Sequence, residues 1–456
     1  MAGGTWTSQN KKIPGVYINV KSWGNVSPSI GDSGVVAIPE PLSWGPSGTV
    51  QEIIPGEDLR PYIGYDVTHE KAIFLREMMK GSDRTAGPNK ILLYRLAGTG
   101  GAKATAAIGT LTVTALYDGV RGNDITVIVE EQVDTEGTYD ISTVIDGRIA
   151  DTQSVADLSK LTANAWVTFS GTGTEIQETA GEPLKNGKDP TVSPADYAAF
   201  LSAIEPYRFD ILVYDGSDST TIQAFAAFVK RISDSIGQKC QAVMAGSSAA
   251  GCNSEYVIAL KNGVVLDDGT RLTAEQATWW VAGAEAGAKY NQSLTHAQYV
   301  NVLKANPKLK DTEVTEAVGA GYICFIDEFD AVKICTDINS LTSFSVDKGE
   351  EFSKNRVIRV LMKICNDVYK QFSIYYVGKI NNNKTGRDLL KGWMVGYLNE
   401  IQANEGIQNF VTDDVVVNSG KKIDTIVIDV AIQPVDSVEK IYMTITVSVN
   451  AETEEE

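Results

Sequence analysis

The sequence predicts an α+β protein of several domains, with an α/β core, a β-rich domain inserted into it, and extended arms at both termini. Three patterns predict this. From Ser193 onward, strand-like and helix-like segments alternate. Between Ile108 and about Lys188, short strand-like runs follow one another with turn residues between them. Near both ends, apolar and polar residues alternate with a period of two, the mark of a half-buried strand.

Residues 1–25 read as an N-terminal arm. "KIPGVYINV" puts Val16, Ile18 and Val20 on one face and Tyr17 and Asn19 on the other, in surroundings too polar to fold alone. Residues 26–98 mix the strands "GVVAIPE" and "ILLYRLA" with one helix, "HEKAIFLREMMKG", and form the first part of a body. "AGTGGAKATA", 97–106, is small and flexible and marks a boundary. Residues 99–188 carry "TLTVTALY", "NDITVIVEE", "YDISTVID" and "AWVTFSG", a small sandwich or barrel. With 13 acidic and 6 basic residues, this module should be solvated and peripheral.

Residues 189–350 read as an α/β domain with a parallel or mixed sheet. It runs through the helix "SPADYAAFLSAIE", the strand "FDILVYD", the helix "TIQAFAAFVKRISDSIG", the strand "CQAVMAG" and the helix "TAEQATWWVAGAEAGAKYN". The strands "GYICFID" and "AVKICTDI" follow. In residues 351–450 a long helix is expected over about 351–378 and a second over 386–404. Strands are expected over 423–433, with Ile426, Ile428 and Val430, and over 440–449, with Ile441, Met443, Ile445 and Val447. An acidic tail, 451–456, ends the chain. Strand patterns at both termini admit two readings: the ends pair within one molecule, or each adds a strand to the sheet of a neighbouring subunit.

A chain of 456 residues exceeds one hydrophobic core, so two to four domains are expected. No apolar run is long enough to span a membrane, and "MAGGTWTSQNKK" lacks the apolar stretch of a secretory signal. The five cysteines show no paired spacing and read as reduced. A net charge of −18 argues against a nucleic-acid binder.

Catalytic signatures are missing. The two histidines, His69 and His296, lack metal-ligand spacing, and the sequence holds no phosphate loop, dinucleotide fingerprint or nucleophile elbow. One stretch resembles a metal-dependent adhesion site of the von Willebrand A type. Asp215, Ser217 and Ser219 follow a strand and precede a helix, and their oxygens suit a hard divalent cation. The same residues equally suit a helix start, where Asp, Ser and Thr cap free amides.

Charge is unevenly spread. Residues 352–391 hold nine basic and two acidic residues, leaving −25 for the remainder. On the first helix of this segment, Val357, Leu361, Ile364, Val368 and Phe372 share one sector. Arg356, Arg359, Lys363 and Lys370 fall on the opposite side. Such a stripe is either a solvated face or a surface for an acidic partner.

Several segments together resemble the tail sheath protein of contractile phage tails: "KIPGVYINV", "YDGVRGNDITVIVEE", "NQSLTHAQY", "INSLTSF", "FSKNRVIRVLMKICNDVYKQFSIYYVGKINNN" and "VAIQPVDSVEKIYMTITV". The likeness is to sheaths of prophage-like particles and of R-type, diffocin-like bacteriocins of Gram-positive bacteria. It runs over essentially the whole chain and includes the β-rich insertion. It implies a structural subunit, with no catalytic or metal site and no cofactor. Such subunits stack as hexameric rings into a helical sheath around an inner tail tube, with baseplate and tail terminator proteins as further partners. Neither nucleic-acid binding nor membrane insertion is implied. Contraction would draw its work from the free-energy difference between two packings. Assembly in the bacterial cytoplasm, then release in a phage tail or bacteriocin particle, is implied too. The terminal strands become inter-subunit connectors: Val16, Tyr17, Ile18 and Val20 at one end, and Ile426, Ile428, Val430, Ile441, Met443, Ile445 and Val447 at the other. The basic segment becomes a tube-facing surface comprising Arg356, Arg359, Lys363, Lys370, Lys379, Lys384 and Arg387. The β-rich insertion is expected on the outside.

Overall fold

The computed structural model describes residues 34–447, together with two dipeptide strands, Gly3–Gly4 and Val16–Tyr17, which pair in parallel. Ile18, Val20 and the 451–456 tail lie outside the described residues.

A seven-stranded sheet organises the body. Its strands are β1 (Val35–Glu40), β2 (Val50–Ile53), β3 (Lys90–Arg95), β4 (Ile211–Val213), β5 (Gln241–Ala245), β6 (Val257–Leu260) and β7 (Tyr322–Ile323). They lie in the spatial order β7-β6-β5-β4-β1-β3-β2. Neighbours run parallel, except that β2 is antiparallel to β3 at one edge. The pairs Ile211–Val36 and Leu212–Ala37 join β4 to β1. The segments on either side of the insertion therefore build one sheet.

Both faces of the sheet are covered. Helices α1 (Ile73–Met79), α2 (Pro194–Ile204), α3 (Ser219–Arg231) and α4 (Ala274–Gly287) supply the layers. Val36, Ile38, Ile91 and Leu93 pack with α1 and α4, while Val35, Ala37, Leu92 and Tyr94 pack with α2 and α3. Strands buried on both faces read as unbroken apolar runs, as "ILLY" and "QAVMA" do. On α4, Trp280 is fully buried, stacks on Tyr299 at 4.2 Å and donates its Nε1–H to the Gly81 carbonyl at 2.6 Å. α4 crosses α1 so closely that a Cβ on Gly283 would lie 1.8 Å from the Met78 carbonyl oxygen, which leaves room only for glycine.

The inserted domain is a sandwich. One sheet comprises Ile125–Glu131, Tyr139–Ile145, Arg148–Val155 and Thr179–Pro183, and the other Lys103–Ile108, Leu111–Asp118 and Val167–Ser170. Its core takes in a residue of the body, Trp44, which lies 5.1 Å from Trp166 and edge-on to Tyr117. Arg121 reaches back to the body, donating to the Gly64 carbonyl at 2.9 Å and lying over the Tyr65 ring at 4.1 Å. The boundary at 97–106 is not a flexible tether. The two crossing strands bridge each other at Thr99–Thr191, Ala102–Lys188 and Thr105–Lys185, so backbone hydrogen bonds brace the junction.

The C-terminal layer contains α5 (Asn355–Tyr375) and α6 (Lys384–Ala403), each close to its expected span. A hairpin follows, β8 (Val415–Ser419) and β9 (Ile426–Val430). Ile364, Val368 and Phe372 of the expected apolar face of α5 pack with Met394, Tyr397, Leu398 and Ile401 of α6. Of the strand expected over 440–449, residues 440–447 have no regular secondary structure and no strand partner among the described residues, and 448–449 lie outside them.

Candidate assembly interface

The end of the chain leaves the body with its apolar side chains in water. Ile441, Met443, Ile445 and Val447 are 83%, 77%, 75% and 83% exposed, an alternating series of apolar residues that nothing among the described residues covers. The hairpin of β8 and β9 lies in the same layer as a two-stranded sheet, so both of its outer edges are unpaired among the described residues. Ile426 and Ile428 are half-buried, with Ile428 packed on the C-terminal core, while Val430 and, on the other face, Val416 and Val427 are exposed. β9 is thus paired inside its own chain, against β8, and is not a free connector. At the other terminus, Val16 and Tyr17 pair with Gly3 and Gly4.

The expected basic stripe on α5 divides. Arg359 is buried and serves the inside of the protein, ion-pairing with Glu285 of α4 and with Asp337 at 2.7 Å, and donating to the Gln292 carbonyl at 2.6 Å. Burial, then the Asp337 charge beside it, pushes the Glu285 carboxyl well above the usual carboxylate range. Burial works against the Asp337 carboxylate too, but the Arg359 charge, a hydrogen bond with the Glu285 carboxyl and the Leu294 amide outweigh it and hold its pKa below the usual range. Arg356 is buried, with Nη2 3.4 Å from the Glu405 carbonyl. Lys363 is tucked in and pairs with Asp367 at 2.8 Å. These three side chains are turned inward within the single chain, contrary to the tube-facing expectation: carboxylates and carbonyls of other elements meet Arg356 and Arg359 where a helical wheel places solvent, and Lys363 is held by Asp367 one turn on in α5 itself.

The rest of the basic set stays outward. Lys370, Lys379 and Lys384 are exposed, and Arg387 is half-buried with Nη1 3.0 Å from the Asn382 side chain. They gather about the α5–α6 turn. That turn is tied to the hairpin by Asn382, whose Nδ2 donates to the carbonyls of Ile423 and Thr425 at 2.8 and 3.0 Å. Tyr375, Val377 and Ile423 are exposed beside them, so the tip is cationic and apolar together.

The Asp215 stretch is a helix start. Asp218 caps α3, accepting from the Thr221 amide and hydroxyl, both at 2.7 Å. Asp215 accepts the Trp279 Nε1–H at 3.0 Å and faces Glu40, and burial raises the pKa of both carboxyls. Ser217 and Ser219 are exposed. Among the described residues, no three His, Cys, Asp or Glu side chains come together as a metal-binding group. Residues that pattern reading missed are Trp44, Arg95, Arg121 and Glu439, each polar or aromatic and each held by partners distant in sequence.

Comparison with known proteins gives the same family along the chain. The phage tail sheath protein central domain matches residues 191–340, and the phage tail sheath C-terminal domain residues 347–448. The phage tail sheath protein beta-sandwich domain matches 99–189, and the N-terminal region of domain III of the tail sheath protein Gp18 matches 33–96. A sheath tail protein of Desulfitobacterium hafniense is 42% identical with a TM-score of 0.84, covering 95% of this chain and 100% of its own. One from Listeria innocua is 34% identical with a TM-score of 0.76, covering 91% and 94%. The XkdK protein of the phage-like element PBSX of Bacillus subtilis is 33% identical over 98% of this chain and 100% of its own.

Proposed function

The chain belongs to the phage tail sheath protein family, and on that premise we propose that it polymerises with itself, as hexameric rings stacked into a helical sheath around an inner tail tube. The sheath contracts and drives the tube through a bacterial envelope. It acts as a structural subunit rather than an enzyme. Baseplate and terminator proteins hold its two ends, and assembly takes place in the bacterial cytoplasm before the particle is released.

The observation that carries this reading is the C-terminal arm. A chain with four large apolar side chains alternating in water over 441–447 has a strand without a sheet. The occupant that fits the open edges of the β8–β9 hairpin is the arm of a second copy, since every copy carries both halves of the contact. Fully burying one such side chain contributes about 1.5–3 kcal/mol before the cost of ordering the strand. Residues around Val16, Tyr17, Ile18 and Val20 supply a further strand to the same lattice. The cationic tip of Lys370, Lys379, Lys384 and Arg387 faces the tube, and the sandwich faces outward.

The test is electron microscopy of the purified protein beside a chain ending at Lys440. The full chain should give hollow helical tubes, and the shortened chain a folded subunit that makes none. Tubes of normal length from the shortened chain would remove the arm from the assembly.

A further inference from the structure

We propose that Glu439 is a positioning residue that fixes where the C-terminal arm leaves the body, and so the reach with which the arm engages a second copy of this chain. This rests on the self-assembly reading above. The approach to the arm is tied down by backbone contacts. Gln433–Pro434 pairs with Ile407–Gln408, and the Val435 amide donates to the Gly406 carbonyl at 3.0 Å. Beyond Val435 the backbone ladder ends.

Over the next residues burial is inverted. Val438 is 83% exposed, whereas the side chain of Glu439 is only 13% exposed. An apolar side chain turned to water beside a carboxylate turned inward means that the carboxylate has the stronger partners. Glu439 ion-pairs with Lys354, the residue just before α5, and accepts from the hydroxyls of Thr295 at 2.6 Å and Thr336 at 3.4 Å. The Thr295 hydroxyl is itself oriented, because it accepts the Asp337 amide at 2.9 Å and so has its proton free for Glu439. Asp436 lies within electrostatic reach of Lys354 and Arg356. Both acidic residues therefore approach the positive, N-terminal end of α5, where negative charge is favoured.

The contact is also narrow. Glu439 lines grooves on both sides of this segment, one of about 500 Å³ beside Thr336 and Lys354 and one of about 390 Å³ beside Arg84 and Gln292. One carboxylate thus does most of the holding between Val435 and the free arm. If it lets go, the free segment starts at Asp436 instead of Lys440, which adds roughly 13 Å of extended reach. A longer tether lowers the effective concentration of the arm at its neighbour's hairpin.

The test compares the full-length protein with Glu439→Ala, Lys354→Glu and the exchanged pair Lys354→Glu/Glu439→Lys. Hydrogen exchange at 436–440 is read in dilute, unassembled protein, the assembly midpoint by light scattering and microscopy, and the fold by thermal melting. Glu439→Ala should speed exchange at 436–440 about tenfold and raise the assembly midpoint about tenfold, with melting of the body unchanged. The exchanged pair should recover part of both losses relative to Lys354→Glu. Wild-type exchange in Glu439→Ala would mean that no clasp exists. Looser exchange with an unchanged midpoint, or an exchanged pair no better than Lys354→Glu, would overturn the positioning role. A wild-type protein that forms no tubes would defeat the self-assembly reading, while the exchange data would still decide the clasp.

Discussion

Replacing Arg359 with Met removes the only cation that ion-pairs with two buried carboxylates among the described residues, Glu285 and Asp337, which are 2% and 1% exposed. Removing one partner of a buried ion pair typically costs about 3–5 kcal/mol, because the other charge is left without compensation. Two features place this site at the lower end. Asp337 keeps hydrogen bonds from the Asn355 side chain and the Leu294 amide, both at 2.9 Å. Glu285, whose pKa is already raised, can take a proton. A loss of about 3 kcal/mol is expected, a large share of the roughly 5–15 kcal/mol that stabilises a domain. It should lower the melting temperature by about 6–12 °C. Calorimetry and urea unfolding of the unassembled protein at neutral pH measure it. The sign with pH is fixed by Asp337, whose carboxyl is depressed in the folded wild type. Its contribution is present above the unfolded pKa, near 3.9, and is lost as pH falls through the folded value. The raised Glu285 behaves oppositely, contributing below its unfolded pKa, near 4.3, and losing that contribution as pH rises through the folded value. The deficit of Arg359→Met should therefore shrink on acidification, as both carboxylates take protons and no longer need the cation. A loss under about 1 kcal/mol at neutral pH, or a deficit that grows on acidification, would refute the account of Arg359 as an internal counter-ion.

Removing the sandwich, residues 99–189, strips the cover from Trp44 and the Asp118 partner from Arg95, so the truncated body should melt lower unless Trp44 is also made polar. With Trp44→Gln it should still form tubes, of smaller outer diameter in micrographs; a folded body that forms none would place the sandwich in the lattice. Reversing the exposed tip charges, Lys370→Glu/Lys379→Glu/Lys384→Glu, should abolish co-assembly with an acidic inner tube at moderate salt while sheath-only tubes persist. Co-sedimentation with the tube protein measures this, and unchanged binding would take the tip out of the tube contact.

The sandwich was legible because its strands alternate, and the two long helices because their apolar sector repeats every turn. β6 was not recognised as a strand. "YVIALKNGVVL" carries a turn signal at Asn262–Gly263, but its two halves go to different sheets, β6 to the parallel core and Gly263–Leu266 to a small antiparallel one. Strand pairing across the insertion was also hidden. β1 and β4 are neighbours in space with some 170 residues between them, and no local pattern encodes that distance. The terminal strand pattern was readable as a strand, yet among the described residues it stays unpaired. In the assembly proposed above, its partner is another molecule.

The basic helix illustrates a different limit. A helical wheel sorts side chains by angle and treats everything off the apolar sector as solvent. Along the first turns of α5 that assumption fails, because α4 and the Asp337 loop stand on the polar side and place carboxylates there. A physical hint was present in the sequence. Arg356, Arg359 and Lys363 crowd the N-terminal half of the helix, where the macrodipole disfavours positive charge. Cations concentrated at that end call for specific anions to hold them, and Glu285, Asp337, Asp367 and Glu439 with Lys354 meet the demand. The positive charge of the segment thus has two uses along its length. Its beginning binds the C-terminal layer to the body and to the foot of the arm. Its end, with the α5–α6 turn, has exposed cations at Lys370, Lys379 and Lys384 with no ion pair among the described residues. An electrostatic grip on an acidic tube, in the assembly proposed above, therefore falls to the turn and not to the helix face. Such a grip would be weak per charge and easily screened, which suits a surface that must hold its register and then slide.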